Sequence, residues 1–315
     1  MSPVFLGVRH AHARQDAAAR LFLWKVTSKT NTVYLLGSIH VGSKEFYPLP
    51  AEIEAAFAES KTLAVEVDLT KVDQEAVQGK LLEKGTYPDD DGLRRHVPRE
   101  TMDKLRDYLA ARGLPMEAME KFRPWALAVT ITQLEMQSLG YQPGLGVDKH
   151  FIDAAAGRPV VELESADEQV NLLGGFPDKQ EAAFLGSTLD SAAKTKDLVA
   201  KTMTMWKAGD AAGMYKLLVA KPLRERPDLR PVFAKLFDER NAKMAKKVET
   251  FLGGKQPHFV VVGAGHLIGE HGMVRLLEKK GYHVEQVSRA PKPDDPPPER
   301  KPALRGYAPA GAWEK

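Results

Sequence analysis

The stretch Val260-Val-Val-Gly-Ala-Gly-His-Leu-Ile-Gly269 decides how this chain is interpreted, because an apolar segment runs directly into glycines and a histidine. The earlier stretch Leu35-Leu-Gly-Ser-Ile-His40 repeats the pattern, an apolar segment followed by Gly-x-x-His. Short apolar runs bounded by glycine are typical of buried strands in an α/β protein. Ligands and catalytic groups of open α/β sheets collect at the ends of strands. His40 and His266 are therefore candidate site residues.

The composition is that of an ordinary globular protein, with 315 residues, 43% of them hydrophobic and 28% charged. This length allows one large domain or two smaller ones. The net charge of +3 is not gathered into a basic stripe, so we expect no nucleic-acid partner. The absence of cysteine excludes disulfides, thiolate metal sites and cysteine nucleophiles. No apolar run reaches the roughly 18 residues of a membrane helix, so we expect no membrane-spanning segment.

Both ends of the sequence are predicted to lie outside the folded domain. Residues 1–19 contain a short apolar patch that Pro3 interrupts, and this patch is not a complete secretory signal as written. A truncated or misplaced start would account for the loss of such a signal. Residues 289–315 are predicted to be a disordered tail, because seven of the 21 prolines fall there. A single domain is expected over residues 20–288.

The order of the predicted elements indicates an α/β fold with a mixed central sheet. A large, mostly helical insertion, at about residues 72–252, is expected between the early and late strands. Helices predicted at 98–112, 124–139 and 146–156 each stop at a glycine, as helix C-termini commonly do. Strands are predicted from β-branched and apolar content at 21–27, 32–37, 62–68, 158–164, 258–262 and 282–287.

Glu66 is the unusual residue of the predicted 62–68 strand. Its neighbours Leu63, Val65 and Val67 indicate a strand buried on both faces, where an unpaired carboxylate is strongly unfavourable. Simple alternation along the strand would instead place Glu66 on a solvent face. The sequence leaves both possibilities open.

An Arg-Asn pair interrupts the apolar face of the helix predicted at 231–252. That face is formed by five apolar residues, Phe233, Phe237, Met244, Val248 and Phe251. Asn241 occupies the position that completes their spacing, and Arg240 borders the same face. Both side chains are thus directed toward the core or a cavity, where each needs a partner. The alternative is an ordinary capping or helix-packing hydrogen bond.

Two histidines and a glutamate at strand ends suit a divalent metal that keeps one position open for water. Manganese, cobalt, iron and zinc all accept these donors. The pattern is not specific by itself, since a single histidine is more often structural than a ligand. Neither the His-Glu-x-x-His motif nor the Gly-x-Ser-x-Gly motif occurs. Five other histidines are assigned to the surface: His10, His12, His96, His150 and His283.

A dinucleotide-binding fingerprint is a rival interpretation of the same glycines. Gly263, Gly265 and Gly269 follow a predicted strand, and Glu285 stands about where such a fingerprint places its ribose ligand. Only one helix and one strand follow before the proline-rich tail, so the nucleotide fold would be reduced to its first unit. The matching motif that ends at His40 would also have no role.

Seven motifs in order resemble the TraB/GumN family over roughly residues 20–288. They are Gly37-Ser-Ile-His-Val-Gly42, Tyr47-Pro-Leu-Pro50, Val65-Glu-Val67, Gly146-Val-Asp148, Glu162-Leu-Glu164 with Gln169, Arg240-Asn241 with Met244, and Gly263-Ala-Gly-His-Leu267. This family is similar to the TIKI proteins, which act as metal-dependent proteases. It also resembles, in fold, the erythromycin esterases and the ChaN haem-binding proteins.

The resemblance implies an active centre of His40, Glu66 and His266, with Arg240 and Asn241 lining its cavity. As a metal-dependent peptidase, the protein would hold a divalent ion on the first three residues, and Arg240 and Asn241 would polarise the scissile carbonyl or its oxyanion. As a metal-free, esterase-like hydrolase of small esters or amides, it would use one histidine as a base oriented by Glu66. A third possibility is a non-catalytic protein that binds a peptide or haem.

The resemblance also bears on location. Many bacterial relatives are exported, which implies the periplasm, whereas the N-terminus implies the cytoplasm if it is complete as written. The substrate, the metal and the oligomeric state do not follow from the sequence.

Overall fold

A computed structural model of the protein describes residues 19–155 and 157–290. Six strands form one mixed sheet, which confirms the predicted α/β fold. They are β1 (Arg20–Thr27), β2 (Thr32–Ser38), β3 (Thr62–Val65), β4 (Val160–Glu162), β5 (His258–Gly263) and β6 (His283–Ser288). The predictions of an N-terminal segment and of a disordered tail fall almost entirely outside the described residues.

The strand order in the sheet is β4-β3-β5-β2-β1-β6. The strands β4, β3, β5 and β2 run parallel to one another, and β1 is antiparallel to both of its neighbours. The strands predicted at 21–27 and 32–37 pair as the hairpin of β1 and β2. Five carboxyl strand ends, those of β4, β3, β5, β2 and β6, therefore lie along the same edge of the sheet, and those of β3, β5 and β2 are consecutive.

Most of the chain between β3 and β5 is helical, as predicted for an insertion, and β4 interrupts it. The α-helices of the described residues are α1 (Ala51–Glu59), α2 (Gln74–Gly85), α3 (Arg99–Ala110), α4 (Pro124–Ser138), α5 (Val147–Ala154), α6 (Ala166–Leu173), α7 (Asp178–Ala192), α8 (Thr195–Lys207), α9 (Ala211–Tyr215), α10 (Lys221–Glu225), α11 (Arg230–Phe233), α12 (Glu239–Leu252) and α13 (Met273–Lys279). None of the helices in the described ranges is both long and apolar enough to cross a bilayer.

Two hydrophobic cores hold these elements together. The first surrounds the sheet, whose central strands β2 and β5 are almost completely buried, and it takes apolar side chains from α1, α5, α12 and α13. The second core lies among α3, α4 and α7, away from the sheet. The sheet edge that carries the strand ends is thus supported by a core of its own.

Two predicted strands are shorter than the sequence indicated. The 62–68 strand ends at Val65, and the 158–164 strand covers only Val160–Glu162. The acidic residues Glu66 and Glu164 therefore stand just beyond strand ends, where the chain leaves the sheet ladder. Their backbones remain close, since the Glu164 N–H donates to the Glu66 carbonyl at 2.9 Å.

The predicted 231–252 helix is not uniform. Arg230–Phe233 is α-helical, Ala234–Asp238 forms one π-helical segment, and α12 follows from Glu239. The wider π turn shifts the register of the face that follows it. Asn241, Met244 and Val248 are buried as predicted, but Leu252 is buried where Phe251 was expected.

Candidate active site

The three predicted centre residues come from three adjacent strand ends. Ser38 pairs with Gly263 at the end of β2 and β5, and Val65 pairs with Val261 between β3 and β5. His40 and Glu66 lie one or two residues past their strands, and His266 ends the short 3-10 turn after β5. Nε2 of His40 lies 3.8 Å, and Nε2 of His266 lies 3.7 Å, from the same oxygen, Oε1 of Glu66.

Gly263 is required at this point for space. A Cβ atom at position 263 would lie 2.7 Å from Nε2 of His40 and 3.3 Å from Oε1 of Glu66. The backbone of Gly263 has a φ of −50°, which any residue can adopt. The close approach of the two side chains, and not the backbone conformation, is therefore the physical reason for glycine here.

His40 is held from the side opposite Glu66. Oδ1 of Asp148 lies 3.2 Å from Nδ1 of His40 and accepts a 2.6 Å hydrogen bond from Ser38. Asp148 is in the first turn of α5, whose preceding Gly146 packs so tightly on the His40 carbonyl that a Cβ would overlap it. A carboxylate partner makes Nδ1 the protonated nitrogen, so Nε2 points toward Glu66.

His266 is oriented in the same way by an uncharged partner. Its Nδ1 lies 2.6 Å from Oδ1 of Asn241, and Nδ2 of Asn241 donates to the carbonyl of His271 at 2.8 Å. The second bond fixes which end of the amide faces the ring, so His266 must be the donor through Nδ1. The other ring nitrogen, Nε2, is left with its lone pair toward Glu66. The predicted alternative of a mere packing bond does not describe Asn241.

Glu66 is buried and surrounded by donors, which excludes the solvent-face alternative. Oε1 accepts from the N–H of Gly263 at 2.6 Å, and Oε2 accepts from Arg240 at 2.7 Å and from Gln169 at 3.3 Å. Although burial raises the pKa of Glu66, the charges of His266, His40 and Arg240 lower it to about 2. The carboxylate is therefore ionised at every physiological pH.

Arg240 joins Glu66 to a second carboxylate that the sequence did not assign to the site. Its Nη2 donates to Glu164 at 2.6 Å as well as to Glu66, and its Nε donates to Glu164 at 2.9 Å. Gln169 also bridges the two glutamates, at 3.3 Å to each. These bonds engage most of the guanidinium, so they favour a role in positioning Glu66 over contact with a substrate.

The two histidines differ in charge and in exposure. Although partial desolvation lowers the pKa of His40, the hydrogen bond that it donates to Asp148 and the charge of Glu66 raise it to about 9. Burial lowers the pKa of His266 to about 4, despite the charge of Glu66. The His40 side chain is 56% exposed and that of His266 only 4%. The centre thus opens to solvent on the His40 side.

The remaining histidine assignments are partly corrected. His283 is exposed as expected, whereas His96 is only partly exposed and contacts two aspartates, and His150 is half-buried beside Glu54. His10 and His12 lie outside the described residues. The glycine turn at 263–265 does not lead into a helix N-terminus, since α13 begins only at Met273, and this argues against the dinucleotide fingerprint.

Sequence reasoning missed four residues that complete the site: Ser38, Asp148, Glu164 and Gln169. All four stand within or beside the motifs that carry the family resemblance, but nothing in their local pattern indicated a role. Only their position in the predicted elements could have pointed to them, because each residue lies at or soon after a strand end or in the first turn of a helix.

A model of the TraB/PrgY/gumN family matches residues 22–286. The chain belongs to this family. The matched range includes every residue of the candidate centre, from Ser38 to His266. The family resemblance expected from the seven motifs is thereby confirmed for this TraB/PrgY/gumN protein.

Known relatives of this TraB/PrgY/gumN protein include both bacterial and animal proteins. The uncharacterized protein YbaP of Escherichia coli strain K12 is 26% identical over 251 residues, which cover 78% of this chain and 87% of YbaP. The metalloprotease TIKI2 of Danio rerio is 24% identical over 322 residues, covering 84% of this chain but 61% of TIKI2. A metalloprotease TIKI homolog of Nematostella vectensis is also 24% identical. No solved structure matches the chain.

Proposed function

We propose that the protein is a metal-dependent hydrolase of peptide bonds, with Nε2 of His40, Nε2 of His266 and Oε1 of Glu66 as metal ligands. The observation that carries this proposal is the convergence of two imidazole nitrogens on one carboxylate oxygen, at 3.8 and 3.7 Å. Metal binding would displace the proton that the raised pKa of His40 retains at neutral pH, and the three groups would then direct lone pairs at one point. The names of the TIKI relatives, which are metalloproteases, support the peptidase class.

The donor set fits a divalent metal in the type of its atoms, and these atoms would move closer together to hold one. Ligand atoms of a tetrahedral ion at about 2.0–2.1 Å stand about 3.3 Å apart, so the observed separations would shorten by a few tenths of an ångström. As the side chains stand, no group of three or more His, Cys, Asp or Glu within residues 19–155 and 157–290 is placed so that it could hold a metal ion. Exposed His40 is the ligand with room to move.

The surrounding residues would act on the ligands. Asp148 and Asn241 hold the Nδ1 atoms of the two histidines, and such partners are a regular feature of metal-binding histidines. Arg240 and the N–H of Gly263 hold the two oxygens of Glu66 and leave Oε1 one lone pair free. When bound, a divalent ion would polarise a carbonyl and lower the pKa of water.

The substrate would approach on the exposed His40 side, because Glu66 and His266 are closed off by β5 and α12. The oxyanion role predicted for Arg240 and Asn241 stays a prediction. Their observed hydrogen bonds support the different proposal that both residues position the ligands. The donor types admit manganese, cobalt, iron and zinc alike.

Metal titration of the purified full-length chain tests the proposal. We expect one divalent ion to bind per chain, measured by calorimetry with Mn²⁺, Co²⁺ and Zn²⁺ after chelation. His40→Ala and His266→Ala should each abolish binding and the hydrolysis of a mixed peptide library, followed by mass spectrometry. His283→Ala, an exposed histidine on β6, is the matched control and should change neither. Equal binding by all four proteins would disprove the metal assignment.

A metal-free hydrolase is the second candidate, and one observation favours it. The low pKa of His266, about 4, keeps its Nε2 unprotonated and available as a base at neutral pH. Hydrolysis of small esters that persists in excess chelator, but is lost in His266→Ala, would support this candidate. The non-catalytic alternative would be favoured by a Soret band on haem addition that His40→Ala removes.

A further inference from the structure

A cavity of about 360 Å³ lies between α6 and α12, directly beside the residues that hold Glu66. Glu164, Gln169 and Arg240 form part of its wall. Nη2 of Arg240 donates to Glu66 and to Glu164, so one guanidinium separates the cavity from the candidate centre. The cavity wall is therefore one side chain away from Glu66, a separation that one or two residues of an extended peptide can span.

The cavity is cationic because α12 directs three lysines toward it. Lys243, Lys246 and Lys247 stand at helical spacings of three and four, which places them on one face. Together with Arg240 they give four cationic side chains, against two carboxylates, Glu164 and Glu168. The wall therefore carries a net charge of plus two.

The two carboxylates already have partners, whereas two of the lysines do not. Glu164 is bonded to Arg240, and Glu168 accepts from the N–H of Ser165 at 2.8 Å in a capping box at the start of α6. Lys247 donates to the Leu163 carbonyl at 2.7 Å. Within residues 19–155 and 157–290, Lys243 and Lys246 make no side-chain hydrogen bond or ion pair. Their charges are free to meet an external anion.

We propose that this cavity is a substrate subsite for a carboxylate of the peptide, supplied by an acidic side chain or by the C-terminus. The inference rests on the proposed peptidase function. A volume of about 360 Å³ is at the low end of ligand pockets and suits one or two residues. The aliphatic stems of the lysines, with Leu163 and Leu172, would pack against the apolar part of those residues.

Binding of paired peptides tests the subsite without reliance on turnover. The probes are octapeptides that differ only in Glu or Gln at one position, each made with a free acid or an amide at the C-terminus. Calorimetry with the full-length protein in excess chelator gives Kd, and mass spectrometry verifies that the peptides stay intact. We expect at least one acidic peptide to bind about 3- to 10-fold more tightly than its neutral partner, less so at high salt.

Lys243→Gln with Lys246→Gln removes the free charges and should abolish that preference. The control is Lys201→Gln with Lys207→Gln, which removes the same charge from exposed positions on α8 and should preserve it. A preference confined to free-acid peptides identifies the C-terminal carboxylate as the occupant, and one that follows Glu identifies a side chain. No preference, or one that survives loss of Lys243 and Lys246, overturns the subsite.

Hydrolysis of the same peptides with Mn²⁺ present is scored separately, so the two proposals fail in different ways. An acid preference in binding without any hydrolysis refutes the peptidase proposal and retains an anion-binding cavity. If the Glu and Gln peptides are hydrolysed at equal rates and also bind equally tightly, the subsite is refuted and the peptidase proposal is retained.

Discussion

Asn241 accepts a 2.6 Å hydrogen bond from Nδ1 of His266, and this bond decides which ring nitrogen faces the candidate centre. Asn241 is itself held by the carbonyl of His271 at 2.8 Å. The carbonyl oxygen of His271 thus sets the orientation of the His266 imidazole through Asn241. Proteins commonly hold metal-binding histidines in this manner.

Asn241→Leu should weaken metal binding and also the fold. The buried Nδ1–H of His266 and the His271 carbonyl would lose their partner, which lowers the free energy of unfolding by about 1–3 kcal/mol. Loss of ligand orientation should weaken metal affinity about 10- to 100-fold. Urea unfolding and metal titration measure the two effects. Val248→Ala, fully buried on the same helix, should cost about 2 kcal/mol and leave metal affinity intact.

Gly263→Ala should disrupt the centre while the chain still folds. The new Cβ, 2.7 Å from Nε2 of His40, forces that ring away from Glu66, and a displacement near 1 Å costs about 100-fold in rate. Peptide hydrolysis and metal titration report the loss. The control is Gly79→Ala in α2, where a Cβ meets nothing within 4 Å and helix propensity favours alanine by about 0.5–1 kcal/mol. Normal metal affinity in Gly263→Ala would contradict this account.

Arg240→Met should be strongly destabilising, because it leaves Glu66 and Glu164 buried without their cation. Removal of one partner from a buried ion pair typically costs about 3–5 kcal/mol. Glu164→Met in the same background should recover part of that loss, since one unpaired charge is removed with it. Urea unfolding of the wild type, both single variants and the double variant closes a thermodynamic cycle. If the loss of unfolding free energy in the double variant equals the sum of the two single losses within about 0.5 kcal/mol, the two residues are not coupled.

The stability of the helical part should depend on pH through His96. Its ring nitrogens lie 2.7 Å from Asp178 and 2.8 Å from Asp91, and Tyr87 stacks on the ring. Although burial lowers the pKa of His96, the two aspartates raise it above its usual value of 6.5. Protonated His96 therefore stabilises the fold fully below pH 6.5, and this contribution is lost as pH rises through the raised pKa.

Comparison of the wild type with His96→Gln across that range measures the effect. The difference in free energy of unfolding should be largest at pH 5 to 6 and should shrink above pH 7. Arg95 beside Asp91 and Arg123 beside Asp178 are present in both proteins, so the comparison isolates His96. A difference that is constant with pH would show that His96 does not titrate on unfolding.

Local rules predicted much of the fold. Helices α3, α4 and α5 end shortly before Gly113, Gly140 and Gly157, and each of these glycines has the positive φ that favours glycine. The positions of His40 and His266 at strand ends followed from apolar runs into glycine. Such features depend on neighbours in the chain, so the sequence pattern is sufficient to find them.

The partners in the centre could not be predicted, because they depend on which strands are neighbours. Asp148 reaches His40 only because α5 docks beside β2, and Glu164 reaches Arg240 only because β4 pairs with β3. The sequence also could not decide between burial and exposure for Glu66. Its neighbours suggested burial, but the donors that make burial tolerable come from Arg240 and Gly263, far along the chain.

The place of β5 between β2 and β3 has a consequence for biosynthesis. The ribosome releases β2 and β3 long before β5, and the two early strands lie on opposite sides of the place that β5 fills. Pairings between such distant segments form late in folding. The candidate centre therefore does not exist in a growing chain that ends before residue 258. The proposed hydrolase, built in this order, would acquire its activity only once the chain through His266 has been made, so unfinished copies would not attack other proteins.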